Sequence, residues 1–332
     1  MKNLIIHTPE GIRDIYGEEM RRKTALLKKL NGVFASCGYE PIETPTTEYF
    51  DVFSRDVVTT PSNELYKFFD RDGNTLVLRP DFTPSVARAV AMHFRAEDAP
   101  FRLCYSGKTF VNSAEYQGRL KESTQAGVEL IGESGSAADA EVLRLTCDLL
   151  REAGLSEFQV SVGEVDFFKA LVSESGFAEE QVEEIRALIS NKNFFGVADL
   201  LASANTAPEI REALTRLPQL FGGREVLDEA AVYAVNDRAK AAIRHLREIH
   251  GLLAEAGYDR YISYDFGALS KYKYYTGIIF SAFTYGTGEA VAKGGRYDRL
   301  LSHFGTDLPA VGVGLTVDTL MNTLDRRHGT EN

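Results

Sequence analysis

The sequence is poor in the residues that build several common kinds of protein. It carries only three cysteines, Cys37, Cys104 and Cys147, odd in number and far apart. No CxxC pair occurs, so a zinc ribbon or a disulfide framework is not indicated. Reduced thiols in a cytoplasm are the simple reading. The six histidines form no HExxH or similar ligand spacing, and no metal is expected. No apolar run approaches the ~20 residues of a membrane span. The opening MKNLIIHTPEG has neither the long apolar region nor the small-residue cleavage site of a signal peptide.

Positive charge is scarce as well. There are 37 Lys and Arg against 48 Asp and Glu, a net charge of −11. Such a surface repels phosphate backbones unless basic residues are concentrated somewhere. The local basic runs are Arg21-Arg22-Lys23, Lys28-Lys29 and the Lys271/Lys273 pair. The first two lie on a helical stretch beside Glu18 and Glu19 and read as a solvated face.

What is present is ordinary for a globular chain: 44% hydrophobic and 26% charged residues over 332 positions. That length can bury one large core or two modest ones. Apolar residues at Leu26, Leu27, Leu30, Val33 and Phe34 have helical spacing, and Gly38 stops the helix. Pro41 and Pro45 place 38–53 in an extended edge or interface segment. Residues 66–70 and 75–78 flank Arg71-Asp72-Gly73-Asn74 and predict a hairpin. A helix begins near Ser85. Strands are expected over 101–106, 108–112 and 125–131, and a helix over 137–153 ends at Gly154. After a strand at 158–162, the pattern over 165–256 is almost wholly helical. Strands return at 261–266, 276–283 and 289–292. A glycine turn is expected at Gly294-Gly295-Arg296-Tyr297-Asp298, followed by a strand at 309–315 and a helix at 316–326. Short connections between strands favour an antiparallel α+β sheet over a doubly wound parallel one.

Seven segments in order carry a resemblance. They are TPEGIRDIYGEE at Thr8, GYEPIETP at Gly38, LRPDFTPSVAR at Leu78, the stretch 107–132, YKYYTGIIF at Tyr272, GGRYDRL at Gly294 and PAVGVGL at Pro309. Together they resemble the catalytic core of histidyl-tRNA synthetase, a class II synthetase. The resemblance implies an α+β fold with a six- or seven-stranded antiparallel sheet flanked by helices, and a dimer built around the segment with Pro45. It implies a synthetase-like core in two parts, 1–164 and 257–326, a helical insertion at 165–256 and a tail at 327–332. The synthetase continues into an anticodon-binding domain after its last core helix; this sequence ends at Asn332, so neither that domain nor tRNA is expected.

The resemblance also exposes gaps. Where the synthetase pattern has arginines for ATP, this sequence has Val111, Ser270 and Thr319. Its motif-2 glutamate is Ser113 and the aspartate of its histidine signature is Lys273. Of the loop cations, Arg119 remains as a possible anion contact. Losing one preorganised electrostatic contact commonly costs on the order of 10²–10³ in rate. Valine has no donor, and serine and threonine offer one neutral hydroxyl each. Adenylate formation is therefore not expected.

The amino-acid half of the pocket is intact by the same comparison. Asp81 and Thr83 take the places that bind an α-ammonium. Gln125 stands near the amino and carboxylate end, Glu129 faces an imidazole, and one hydroxyl of Tyr274-Tyr275 reaches the ring. Gln125, Gly127 and Glu129 alternate, so they share one strand face, with the glycine leaving room for a ligand. Taken singly, Gln125 and Glu129 also read as solvated polar residues, Tyr274-Tyr275 as core aromatics and Asp81 as a helix cap. Lys271 or Lys273 could replace the charge missing at Ser270.

A synthetase core without nucleotide contacts resembles the regulatory-subunit family of ATP phosphoribosyltransferase. That resemblance implies a non-catalytic, cytoplasmic chain without cofactor. Its partner would be the short-form catalytic subunit, in a hetero-octamer that contains its own homodimer. L-histidine would be the feedback effector, bound either in the old pocket or at a subunit interface. Two rivals stay open: a dimeric scaffold with an empty pocket, and a minimal histidine-activating enzyme.

Overall fold

The computed structural model describes residues 7–54, 60–113, 120–270 and 274–330. Arg119, Lys271 and Lys273 lie outside them. In chain order the helices are α1 (Gly17–Ser36), α2 (Thr83–His93), α3 (Ser136–Ala153), α4 (Val165–Val172), α5 (Glu179–Ser190), α6 (Phe194–Ser203), α7 (Pro208–Arg216), α8 (Glu225–Val232), α9 (Asp237–Glu255) and α10 (Val317–Thr330). The strands are β1 (Glu40–Pro41), β2 (Thr47–Tyr49), β3 (Lys67–Phe69), β4 (Thr75–Leu78), β5 (Phe101–Phe110), β6 (Glu122–Ile131), β7 (Gln159–Glu164), β8 (Phe221–Gly222), β9 (Ile262–Asp265), β10 (Ile278–Phe283), β11 (Ala292–Arg296) and β12 (Ala310–Thr316).

The main sheet has nine strands in the order β1-β5-β6-β12-β11-β10-β7-β9-β8. Its six middle strands, β5 to β7, pair antiparallel throughout, as the expected fold requires. Short strands extend it at both edges. Two of these pair parallel, β1 with β5 and β9 with β7. Pro41 sits in the edge strand β1, where its missing N–H costs no ladder bond. The hairpin β3/β4 forms with β2 a separate three-stranded sheet.

One face of the main sheet is sealed. Val128, Leu130, Val162, Phe280, Val311 and Val313 are buried there against Leu30 and Phe34 of α1, Leu143 and Leu150 of α3, and Leu246 and Ile249 of α9. Each fully buried side chain of this size contributes about 1.5–3 kcal/mol. Helix α3 shows how local signals serve that packing. Its apolar residues recur at helical spacing, and Gly154 ends it with φ 106, the left-handed conformation that closes many helices. The helices between 165 and 255 share this same core rather than closing one of their own.

Three local expectations are corrected. Residues 101–110 form one strand, not two. Gly107 lies inside it because a Cβ there would stand 2.8 Å from Arg79 Nη2 and 2.9 Å from Phe82 Cζ. Gly294-Gly295-Arg296 belongs to β11 rather than to a turn. Its glycines admit neighbours, since a Cβ would meet Phe280 Cζ at 2.4 Å from Gly294 and Tyr275 Cε1 at 2.6 Å from Gly295. Lys23 is not on a solvated face. It is buried, and its Nζ donates to Asp318 Oδ1 at 2.8 Å, while Asp318 Oδ2 accepts from the Thr124 N–H. The pair pins α1 and α10 to β6.

Candidate functional site

The second face of the sheet is built differently. A single cross-strand row runs Leu103, Glu129, Gly312, Gly295, Ile279, Gly163. The next row on the same face contains Tyr105, Gly127 and Gly314. Glycines thus line the middle of this face, where side chains from neighbouring strands lie down across them. A Cβ on Gly312 would fall 1.8 Å from Glu129 Oε2, and one on Gly314 would fall 2.2 Å from Gln125 Nε2. The GVG of PAVGVGL is therefore a cradle for the two polar side chains of β6.

Glu129 is the hub. Its Oε1 accepts from Thr83 Oγ1 at 2.7 Å, and its Oε2 accepts a short hydrogen bond from the Tyr297 hydroxyl. Burial drives its pKa upward, the hydrogen bonds from Tyr297 and Thr83 oppose this, and the balance stands at about 8. Asp81, in the turn between β4 and α2, is also raised by burial against the hydrogen bonds it accepts. Its Oδ1 accepts from the Phe82 N–H at 2.7 Å, just ahead of α2, and from Gln125 Nε2 at 3.3 Å. Burial also holds the phenols of Tyr105 and Tyr297 well above their ordinary pKa, so both remain protonated donors.

The aromatic residues close the site. Phe82 and Tyr105 stack with ring centres 4.3 Å apart. Tyr274 lies 4.4 Å from Tyr275 and meets Tyr297 edge-on at 6.1 Å. All six expected pocket residues are thus described, while the expected anion contact Arg119 lies outside the described residues: Asp81, Thr83, Gln125 and Glu129 form one hydrogen-bonded wall, and Tyr274-Tyr275 stands against Tyr297 beside it. The space over Gly127 is not left for a ligand. Tyr105 fills it, its hydroxyl only 2.5 Å from where a Cβ would be.

Three contributors escaped the sequence reading. Tyr297 and Tyr105 face the site only through strand register, which has no local signature. Arg79 is buried and gives its guanidinium to the carbonyls of Thr44, Pro45 and Lys108, at 2.6, 3.3 and 2.9 Å. It fastens the extended segment to β5 and stacks over Phe82 at 3.9 Å. The LRPDF segment that carries it was the available signal.

On the nucleotide side, Val111 and Thr319 occupy the positions where arginines are expected. The Val111 N–H bonds the Lys121 carbonyl at 2.9 Å, and Thr319, half-buried on α10, accepts from Thr323 Oγ1. Neither can offer a cation to a phosphate. Among the described residues, no group of three or more His, Cys, Asp or Glu could hold a metal ion, and no helix is long and apolar enough to cross a membrane.

The profile of the family described as histidyl-tRNA synthetase matches residues 11–320. Two relatives named ATP phosphoribosyltransferase regulatory subunit are similar along nearly the whole chain. The one from Acetivibrio thermocellus is 40% identical, covering 97% of this chain and 77% of the relative. The one from Ruminiclostridium cellulolyticum is 39% identical with the same coverage, 97% and 77%. A crystal structure from Bacillus halodurans, described as an ATP phosphoribosyltransferase regulatory subunit/histidyl-tRNA synthetase, superposes with a TM-score of 0.90 at 34% identity, covering 97% of this chain and 84% of that one. With the fold, the glycine-cradled carboxylate and these relatives in place, the chain belongs to the family of ATP phosphoribosyltransferase regulatory subunits, built on the histidyl-tRNA synthetase fold.

Proposed function

We propose that this chain partners the short-form catalytic subunit of ATP phosphoribosyltransferase in the cytoplasm, is required for its activity, and imposes feedback by L-histidine. The assembly would be a hetero-octamer of four regulatory and four catalytic chains, with this chain dimerised around the segment carrying Pro45. The observation that carries the reading is Glu129: a carboxylate wholly buried on the glycine-lined sheet face, held by Thr83 and Tyr297, with no cation among its described hydrogen-bond partners. A buried carboxylate with neutral partners is costly unless a cation meets it. An imidazole presents N–H donors that suit it.

In this reading Asp81 and Gln125 take the amino and carboxylate end of histidine, and Glu129 takes the ring. Tyr274-Tyr275 covers it. Thr83, expected beside the ammonium, is turned toward Glu129 and orients that carboxylate instead. Histidine binding favours one quaternary arrangement, and a coupling of about 1–3 kcal/mol gives roughly 5–150-fold control. By reciprocity, substrates on the catalytic chain weaken histidine binding. The regulatory role is that of a non-catalytic subunit of an enzyme complex, in keeping with the names of the relatives. Co-expression with a short-form catalytic subunit, followed by mass measurement and assay with and without histidine, tests this. Activity that is indifferent to this chain would overturn the reading.

A further inference from the structure

Residues 274–277 carry Tyr274 and Tyr275 across the site and lead into β10, and residues 265–270 lie beside the helices that follow β7. Those helices grip the main chain of both described stretches. Lys169 of α4 donates its Nζ to the Tyr275 carbonyl at 2.9 Å. The Val165 N–H, at the start of the same helix, donates to the Gly277 carbonyl at 3.1 Å. Arg186 and Ser190 of α5 reach the carbonyls of Ser270 and Leu269 at 3.5 and 3.2 Å. Lys192, just beyond α5, closes the row on Asp265 at 2.7 Å. Most of these contacts end on carbonyls, so they fix where the backbone runs rather than recognising its side chains.

Lys169 has the most direct route to the pocket. Asp166 is on its own helix, yet its hydrogen bond goes to Tyr275. Burial holds its pKa below the ordinary lysine value, with Asp166 opposing. From Tyr275 the packing is continuous. The Tyr275 ring lies against Gly295, Tyr274 rests on Tyr275, Tyr297 meets Tyr274, and the Tyr297 hydroxyl ends on Glu129.

We propose that Lys169 is a positioning residue: it holds the Tyr274-Tyr275 backbone over the pocket and couples ligand occupancy there to helix α4. The proposal rests on the histidine reading of the pocket given above. It assigns the helices after β7 a part in sensing, and predicts that binding at Glu129 tightens α4. Linkage then requires that whatever displaces α4 weakens the ligand.

The test uses the full chain with L-histidine as the probe. Hydrogen exchange of the native protein should show added protection of the α4 amides on binding. Lys169→Met keeps most of the side-chain volume and removes the donor. It should weaken histidine about tenfold, the usual effect of losing a charged donor, and abolish the α4 protection, and Lys169→Arg should restore both. Unchanged affinity in Lys169→Met, or no α4 response in the native protein, overturns the proposal. A lower melting temperature with unchanged affinity assigns Lys169 a merely structural role and overturns it too. A native protein that binds no histidine at all fails the pocket reading itself, whereas a native protein that binds with Lys169→Met binding equally well fails this proposal alone. The exchange measurement on the native chain stands even if the methionine variant does not fold.

Discussion

Replacing Glu129 by Gln should change not only the strength of histidine binding but the shape of its pH dependence. Glu129 in the empty protein titrates at about 8. A free imidazole titrates near 6.5. The complex holds one proton between the two groups. Between these values the free partners also hold one, so binding moves no proton and affinity is flat. Below about 6.5 the free partners hold two and one must leave; above about 8 they hold none and one must be taken up. Affinity therefore falls about tenfold per pH unit on either side. Asp81, Tyr105 and Tyr297 face the same carboxylate, but both phenols stay protonated across this range. Glu129→Gln keeps the shape, loses a charge-assisted hydrogen bond of about 1.5–3 kcal/mol, and binds roughly 10–150-fold more weakly. It also removes the alkaline limb set by Glu129, leaving the titrations of the ligand's own imidazole and α-amine. Without ligand the sign reverses for stability. A carboxyl whose folded pKa is raised contributes stability that is full below its unfolded value of 4.5 and lost as pH rises through about 8. Glu129→Gln should thus melt higher than the native protein above pH 8. Calorimetric titrations from pH 5 to 9, in buffers of different ionisation enthalpy, read both protons and affinity. Superimposable pH profiles for the two proteins would refute the reasoning.

Other perturbations test other parts of the structure. Gly312→Ala places a methyl 1.8 Å from Glu129 Oε2 and 2.7 Å from the Val128 carbonyl, so histidine binding should be lost at a stability cost of about 1–3 kcal/mol, read by calorimetry and denaturant titration. His245 lies 2.9 Å from Asp139 and 3.1 Å from Glu164; burial pulls its pKa down, but the two carboxylates outweigh this and hold it at about 10. Its contribution is complete below its unfolded value of 6.5 and fades as pH rises through about 10, so His245→Ala should cost about 3 kcal/mol at pH 6 and progressively less in alkali, by thermal melts. Lys23→Met leaves Asp318 buried without its cation and should destabilise by about 3–5 kcal/mol, with Lys23→Met/Asp318→Leu recovering much of the loss.

Local signals carried much of this structure. The helix ending at Gly154, the β3/β4 hairpin and the shared face of Gln125 and Glu129 all depend on neighbours in sequence, and all formed. Partnership across the sheet was less legible. Gly294 and Gly295 have the composition of a turn, yet they serve as strand positions because Phe280 and Tyr275 need their missing side chains. Tyr297 could be assigned to Glu129 only once β11 was known to lie beside β12, two strands from β6. Lys23 looked solvated because Asp318, its partner, lies 295 residues away. Pairings of that separation are decided by register and packing, which no short window encodes.

The central claim is that the pocket keeps its amino-acid half while the nucleotide half is gone, and the most direct measurement is a pair of titrations on one sample. L-histidine and magnesium ATP are titrated separately into the native chain, with histidine-dependent pyrophosphate exchange followed in parallel. The account predicts saturable histidine binding that Glu129→Gln weakens, no comparable heat from magnesium ATP, and no exchange. Tight nucleotide binding with robust exchange, or silence toward histidine, would contradict it.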